Sequence, residues 1–468
     1  MRKNSRSLDN LAVEIAAFAA GTSLKGIRGT VVETAKLHAF DGFATMLAGS
    51  VEAAARKMRR QLLSMGHRPE ATVIGTKLKL PAQQAALANG LQAHVLDYDD
   101  AQYATLPSRP FGQQTHPTAP VLAASLALAE KLKSRGSEFL AAYIVGVEVA
   151  CRLGDAIDPS HYLNGFHPTG TMGTFGATAA CCHLLKLRPE EIRRALGIAG
   201  SLASGVRANR GTMAKALNAG RAAENGVLAA TLAERGFTAS AKIFDDPMGY
   251  FSAACGKKVD KRLLRFGDPF FFEKPGVAIK LYPCPVVMHP MVDGLLYLTK
   301  RYDIRPEQVA KINIAMSSEA ALPLVYDRPK DGLQGKFSLP FTAAVAITQR
   351  QAGLDEFTDE KLRDPRVRSL MRRVEIVRRS ARRSGKNEPG TEVEILSKDG
   401  ESYRRKAAGL RGRPLAPTSR RDAEDKFRQC AGRALKPTAT AAFVERFWSM
   451  ERVSSISTWL RPLRTPRR

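Results

Sequence analysis

Apolar residues in the first half of the chain recur every three or four positions. Leu11, Ile15, Phe18 and Ala19 fall on one face of a helix. The same spacing predicts helices over 31–47, closed by Gly49, over 81–96, and over 120–133, which stops before Gly136. It continues over 137–153 and 174–187. Pro189-Glu-Glu-Ile opens another helix with proline and two acids in its first turn, and the helix predicted over 219–235 stops at Gly236. Polar and glycine-rich signals sit in the connections, so the pattern predicts an all-helical domain over residues 1–266.

The pattern changes at Phe266-Gly-Asp-Pro269. Gln308-Val-Ala-Lys-Ile-Asn-Ile-Ala-Met316 alternates apolar and polar positions, as do residues 391–403, where Asp399-Gly400 marks a turn between two strand-like halves. With a helix over 337–349 among them, these segments predict a smaller α/β domain over 267–405. Helical spacing returns over 422–460. Residues 406–468 are expected to pack back on the helical domain, and the tail beyond Trp459 to fray. The fold class is therefore mainly α: a large, discontinuous helical domain plus a smaller α/β lid.

A chain of 468 residues is long enough for two cores, and 44% hydrophobic with 25% charged residues is ordinary for a globular protein. The sequence lacks the run of roughly 18 apolar residues that a membrane span needs, so no membrane partner is expected. The six cysteines form no CxxC pair or ferredoxin-like spacing, and the N-terminus carries no secretory pattern. These features predict a cytoplasmic protein with free thiols and no cluster cofactor. The net charge of +27 is concentrated after Lys361, in stretches such as Met371-Arg-Arg-Val-Glu-Ile-Val-Arg-Arg379 and Arg461-Pro-Leu-Arg-Thr-Pro-Arg-Arg468. No nucleic-acid motif or aromatic stacking pattern accompanies it. A solvated basic surface is the preferred reading over a nucleic-acid partner, and its field favours small anions.

Candidate chemistry lies where helices break. Asp97-Tyr98-Asp99-Asp100 puts three carboxylates after a buried helix. Three of the eight histidines adjoin proline: Thr115-His116-Pro117, Phe166-His167-Pro168 and Met288-His289-Pro290. Lys215 stands among small apolar residues in Gly211-Thr-Met-Ala-Lys-Ala-Leu-Asn-Ala-Gly220, and Lys280 precedes a turn in Lys280-Leu-Tyr-Pro-Cys284. Each feature alone also has a plain reading: a solvated turn, a helix start, a snorkelling lysine. The lysines suit anion binding or acid–base work tuned by desolvation. No HxH or HExxH spacing appears, so a metal is not expected.

The order of these pieces resembles the MmgE/PrpD family. The resemblance runs from Ala71-Thr-Val-Ile-Gly75 and Ala86-Leu-Ala-Asn-Gly90 through the Asp97 cluster, His116-Pro117, Gly165-Phe-His167 and Lys215-Ala-Leu-Asn-Ala-Gly220. It continues to Lys280-Leu-Tyr-Pro-Cys284 and Lys336-Phe-Ser-Leu-Pro-Phe341, and so spans nearly the whole chain. It implies a homodimer with a cleft between the two domains, no required cofactor, and active-site positions at Asp97, His116, His167, Lys215, Lys280 and Tyr326. The implied chemistry is proton abstraction next to a carboxylate of a small di- or tricarboxylate. Dehydration of a 2-methylcitrate-like hydroxy acid is expected first, with an iminodisuccinate-type epimerase or a cis-aconitate-type decarboxylase as alternatives. In this expectation His116 or His167 moves the proton, Asp97 orients a histidine, the lysines hold carboxylates and Tyr326 donates a hydrogen bond. One departure is Pro285, which stands where the family often carries a second Cys, and its decarboxylase a His. The competing class outside enzymes is an anion- or nucleic-acid-binding protein on the same fold.

Overall fold

The computed structural model describes residues 10–66, 68–105, 115–256, 258–318, 321–379, 391–407 and 418–464. It is mainly α-helical, with small sheets. Four helices, Ala82–His94, Thr118–Leu132, Pro168–Leu184 and Met213–Glu234, pack on one another at the centre of the larger part. They are small or apolar around most of their circumference, and a helix without a broad polar face belongs in a core. Glycines let their backbones touch. A Cβ on Gly90 would lie 2.9 Å from Gly220 Cα, and one on Gly220 would lie 2.5 Å from the Leu87 carbonyl oxygen.

Two helices begin earlier than their apolar spacing predicts, at Pro168 rather than near 174 and at Met213 rather than near 219. Proline at the first position suits a helix start, and Gly211, at φ +71°, turns the chain just before the second helix. The small residues Gly170 to Gly176 are thus helical and packed. Farther along, Arg420–Gly432 and Pro437–Phe447 lie against the Gly29–Ser50 helix through aromatic contacts. Phe427 stacks on Phe40 with ring centroids 4.4 Å apart, and Phe443 and Trp459 meet Phe43 edge-on at 5.3 and 5.6 Å. The chain beyond Trp459, expected to fray, instead forms a turn at Arg461–Arg464. Leu463 is fully buried there and its carbonyl accepts from Gly75 N, so apolar burial overrides the basic composition. Residues 465–468 lie outside the described set.

A second apolar core surrounds a four-stranded sheet. Val309–Ser317 pairs parallel with Val374–Arg379 and antiparallel with Glu392–Ser397, which pairs antiparallel with Ser402–Lys406 through the Asp399-Gly400 turn. The alternating burial of Glu392–Ser397 follows the two-residue period of its sequence. Helices His289–Arg301 and Leu339–Gln349 cover this core. The two parts meet at a short ribbon in which Ala101 opposes Ala278 and Gln102 opposes Val277. This pairing sets the Asp97 turn beside the segment that carries Lys280. The connection before it is pinned by buried Glu148, which accepts from Gly267 N and Phe271 N and pairs with Arg152. All six cysteines are free and buried. Among the described residues, no helix is long and apolar enough to cross a membrane.

Candidate active site

The Ala82–His94 helix ends in a tight turn: Asp97 N donates to the His94 carbonyl at 3.2 Å, and Asp97 itself takes φ +52°. Aspartate tolerates this left-handed conformation better than most residues. The turn fans three carboxylates toward three different partners. Asp97 pairs with Lys215 through Oδ1 and with Lys280 through Oδ2 at 3.0 Å, and Lys280 Nζ also donates to the Asp97 carbonyl at 2.9 Å. Asp99 Oδ2 lies 2.8 Å from His94 Nδ1 and 3.5 Å from His116 Nδ1. Asp100 pairs with His38 Nδ1 at 2.7 Å and accepts from Thr118 N at 3.3 Å. The carboxylate that faces the histidines is therefore Asp99, whereas Asp97, expected in that role, faces the lysines.

Asp97, His116, His167, Lys215 and Lys280 line one cleft, together with Arg210. Pro285, Val286, Pro323 and Phe337 supply its apolar wall. His167 precedes the Pro168–Leu184 helix, its amide donating to the Gly205 carbonyl at 2.9 Å. The Asn218 amide faces His167 Nδ1 at 3.1 Å and also donates to the Val206 carbonyl at 3.5 Å. The rings of His116 and His167 flank that of His94, with centroids 4.7 and 5.5 Å away. Tyr326 stands behind this wall and donates its hydroxyl to the Arg210 carbonyl at 2.7 Å. His289 is buried elsewhere, facing the Cys284 carbonyl at 3.3 Å and the Tyr282 ring, and has a structural role there.

Burial works against the charges of Asp97 and Asp99, but cationic and imidazole neighbours outweigh it. Lys215 and Lys280 hold the Asp97 carboxyl well below the usual carboxylate range, and His94 and His116 do the same for Asp99. Burial pushes His116 and His167 well below the usual imidazole range, helped by Lys280 and by His94 respectively. Burial thus favours the neutral form of both rings. Burial also lowers Lys215, against the pull of Asp97, and brings buried Lys336 down to about 8. Lys336 Nζ donates to the Pro283 carbonyl at 3.2 Å and so supports the turn after Lys280.

The spacing of histidines along the chain predicted no metal. In space, His94, Asp99 and His116 bring three donor atoms within 4.8 Å of one another, a set of ligand types that zinc uses. The 2.8 Å contact between His94 Nδ1 and Asp99 Oδ2 is a direct hydrogen bond, while His94 Nε2, Asp99 Oδ1 and His116 Nδ1 are buried without a hydrogen-bond partner among the described residues.

His94 opens the segment that carries the Asp97 cluster and Asn218 lies within the 215–220 motif, yet the sequence assigned no role to either, nor to Arg210 or Lys426. Lys426, on the Arg420–Gly432 helix, donates to the carbonyls of Tyr98 and Lys280 at 2.9 and 2.8 Å and pairs with Asp41 at 2.6 Å. A lysine with its apolar face at helical spacing was the available signal, but surface lysines share it.

A match to the MmgE/PrpD N-terminal domain covers residues 13–262, and one to the MmgE/PrpD C-terminal domain covers residues 282–450. The chain is similar to a cis-aconitate decarboxylase of Homo sapiens, 26% identical over 83% of this chain and 81% of the relative. It is also 28% identical to one from Aspergillus terreus, over 79% of each chain. A cis-aconitate decarboxylase-like protein of Aspergillus oryzae is 24% identical over 96% of each. With both domains matched in order around the cleft just described, the chain belongs to the MmgE/PrpD family.

Proposed function

We propose that this chain is an enzyme, a lyase that acts on a small di- or tricarboxylate through proton transfer at a carbon next to a carboxylate. The observation that carries this reading is Asp97 held between Lys215 and Lys280 in a cleft shared with His116 and His167. Carbanion character beside a carboxylate builds a dianion that water stabilises poorly. Fixed ammonium groups in a low-dielectric cleft offset that charge where it develops. Asp97 keeps both lysines paired and aimed before substrate arrives.

The two histidines take complementary roles. Asn218 donates to His167 Nδ1, so the neutral His167 ring carries its proton on Nε2 and serves as the acid. His116 Nδ1 makes no hydrogen bond but lies 3.5 Å from Asp99 Oδ2, whose charge favours the proton on that nitrogen and leaves the Nε2 lone pair as the base. Asp99 thus offsets the positive charge that His116 gains.

The names of the relatives make decarboxylation of a cis-aconitate-type acid the first reaction to test. Carbon dioxide leaves with its bonding electrons retained on the substrate, the lysines hold the resulting anion, and an imidazole protonates it. Pro285 favours a second reading. It lines the cleft where the resembling decarboxylase carries a His, and it offers no proton. Dehydration of a 2-methylcitrate-like acid needs only the pair already present: His116 takes the proton on carbon while His167 protonates the leaving hydroxyl. Epimerisation of an iminodisuccinate-like acid would use the same pair without losing a group. A homodimer in the cytoplasm completes the proposal, and light scattering of the purified protein tests the assembly.

Incubation with cis-aconitate, methylcitrate, citrate and iminodisuccinate in deuterated water separates these reactions. Carbon dioxide release marks the decarboxylase, an unsaturated product the dehydratase, and deuterium gain without elimination the epimerase. Lys215→Ala and His167→Ala should each lower turnover by about 100-fold or more while leaving the circular dichroism spectrum unchanged. Near-wild-type turnover in both variants would sink the reading.

A further inference from the structure

Arg210 is only 8% exposed, lines the cleft, and has no carboxylate partner among the described residues. Its guanidinium donates to the Tyr162 hydroxyl at 2.5 Å and to the Leu322 carbonyl at 3.2 Å. These bonds orient the group without neutralising it, and they engage two of its five N–H donors. A buried cation without a counter-charge is costly, and such groups are held where an anion completes them.

The contrast with the neighbouring lysines sharpens the point. Lys215 and Lys280 share one aspartate, so that triad carries a surplus of one positive charge. Arg210 adds another, on the same cleft that the triad lines. The backbone that carries it is clamped: Tyr326 donates to the Arg210 carbonyl, and the Tyr326 ring lies so close to Gly211 that a Cβ there would be 2.6 Å from the ring. Any side chain at position 211 would push Tyr326 away and loosen Arg210. Tyr162 and Tyr326 therefore present a rigid fork, the arrangement that suits bidentate binding of a carboxylate.

We propose that Arg210 forms a second carboxylate subsite and is the residue that selects polycarboxylates over monocarboxylates. One lies over the Lys215–Lys280 pair beside the reacting carbon, and a remote one is held by Arg210. This rests on the lyase reading of a di- or tricarboxylate substrate and adds the residue that holds its remote carboxylate.

Binding of inert saturated acids tests the subsite without turnover. Calorimetry would compare tricarballylate, glutarate and butyrate on the wild-type protein, Arg210→Gln, Arg210→Lys and Tyr162→Phe. The wild type should prefer the polyacids over butyrate, and Arg210→Gln should weaken tricarballylate by about 30-fold or more while butyrate changes by less than about threefold. Arg210→Lys should restore part of the loss, because charge returns without the fork, and Tyr162→Phe should show a smaller loss of the same selectivity. Tricarballylate binding to Arg210→Gln within about threefold of wild type would overturn the proposal, as would equal loss for mono- and polyacids. If no polyacid is turned over but this selectivity holds, the lyase reading fails and the subsite stands. If polyacids are turned over equally well by Arg210→Gln, the subsite alone fails.

Discussion

At the scale of single residues, the candidate site turns on the conformation of Asp97. The sequence announces a carboxylate cluster, but helical projection cannot say which carboxylate meets which partner. The φ of +52° at Asp97 breaks that projection, and residues 97, 99 and 100 then point to lysines, to imidazoles and to the His38–Thr118 pair. The same limit hid Arg210, because an arginine in a polar connection carries no mark of burial until the chain is folded. Lys215, Lys280, His116 and His167 were legible because their residue types contrast with apolar or proline-bounded neighbours. Asp97→Asn separates backbone from charge, since asparagine also accepts the left-handed turn. It should leave the turn in place but strand two buried ammonium groups, at a cost on the order of 3 kcal/mol. Turnover should fall by about 100-fold, with a lower melting temperature that a polycarboxylate partly restores. Unchanged turnover in the asparagine variant would show that Asp97 is not part of the site.

At the scale of elements, the C-terminal helices reach the site through one side chain. The helical spacing after Asp422 predicted a return to the helical domain, and the Phe40–Phe427 stack gives that return a physical basis. The spacing did not reveal that Lys426 ties Tyr98 and Lys280 together, because those residues are far apart in sequence and are brought together by the fold, beside the Ala101–Ala278 ribbon. Its ammonium group also sits 3.7 Å from the centre of the Tyr98 ring and pairs with Asp41, whose carboxyl burial raises to about 6 despite that pairing. Lys426→Met should therefore do two things. It leaves Asp41 buried without its cation, a destabilisation of about 3–5 kcal/mol, and it frees the carbonyls that fix the backbone on both sides of the Asp97–Lys280 pair. Adding Asp41→Asn to Lys426→Met should recover much of the melting temperature but little of the turnover. Equal recovery of both would mean that Lys426 matters to stability alone.

At the scale of the whole molecule, the buried imidazoles set how stability responds to acid. Burial lowers His161 to about 4 and His289 to about 3, and it also lowers His94, His116, His167 and His183. In the unfolded chain these groups take a proton near pH 6.5, while the folded protein keeps them neutral to lower pH. The unfolded state therefore binds more protons below about 6.5, and stability falls as pH falls through that window toward the folded values. His161 and His289 alone should contribute a loss on the order of 2 kcal/mol each by pH 5. Asp41 acts in the opposite direction between its unfolded value and about 6, because the folded protein there holds the extra proton. Burial raises Glu148 and Glu224 as well, but three such carboxyls do not balance six imidazoles, and the basic net charge adds self-repulsion of the same acid-destabilising sign. Melting curves at constant ionic strength should accordingly drop by several degrees between pH 7 and pH 5. Replacing His289 by Asn, which removes one titrating group but keeps a polar side chain beside the Cys284 carbonyl, should flatten that slope. A melting temperature that holds level or rises on acidification would mean that these rings do not stay neutral in the folded protein, and the acid–base pairing of His116 with His167 would lose its basis.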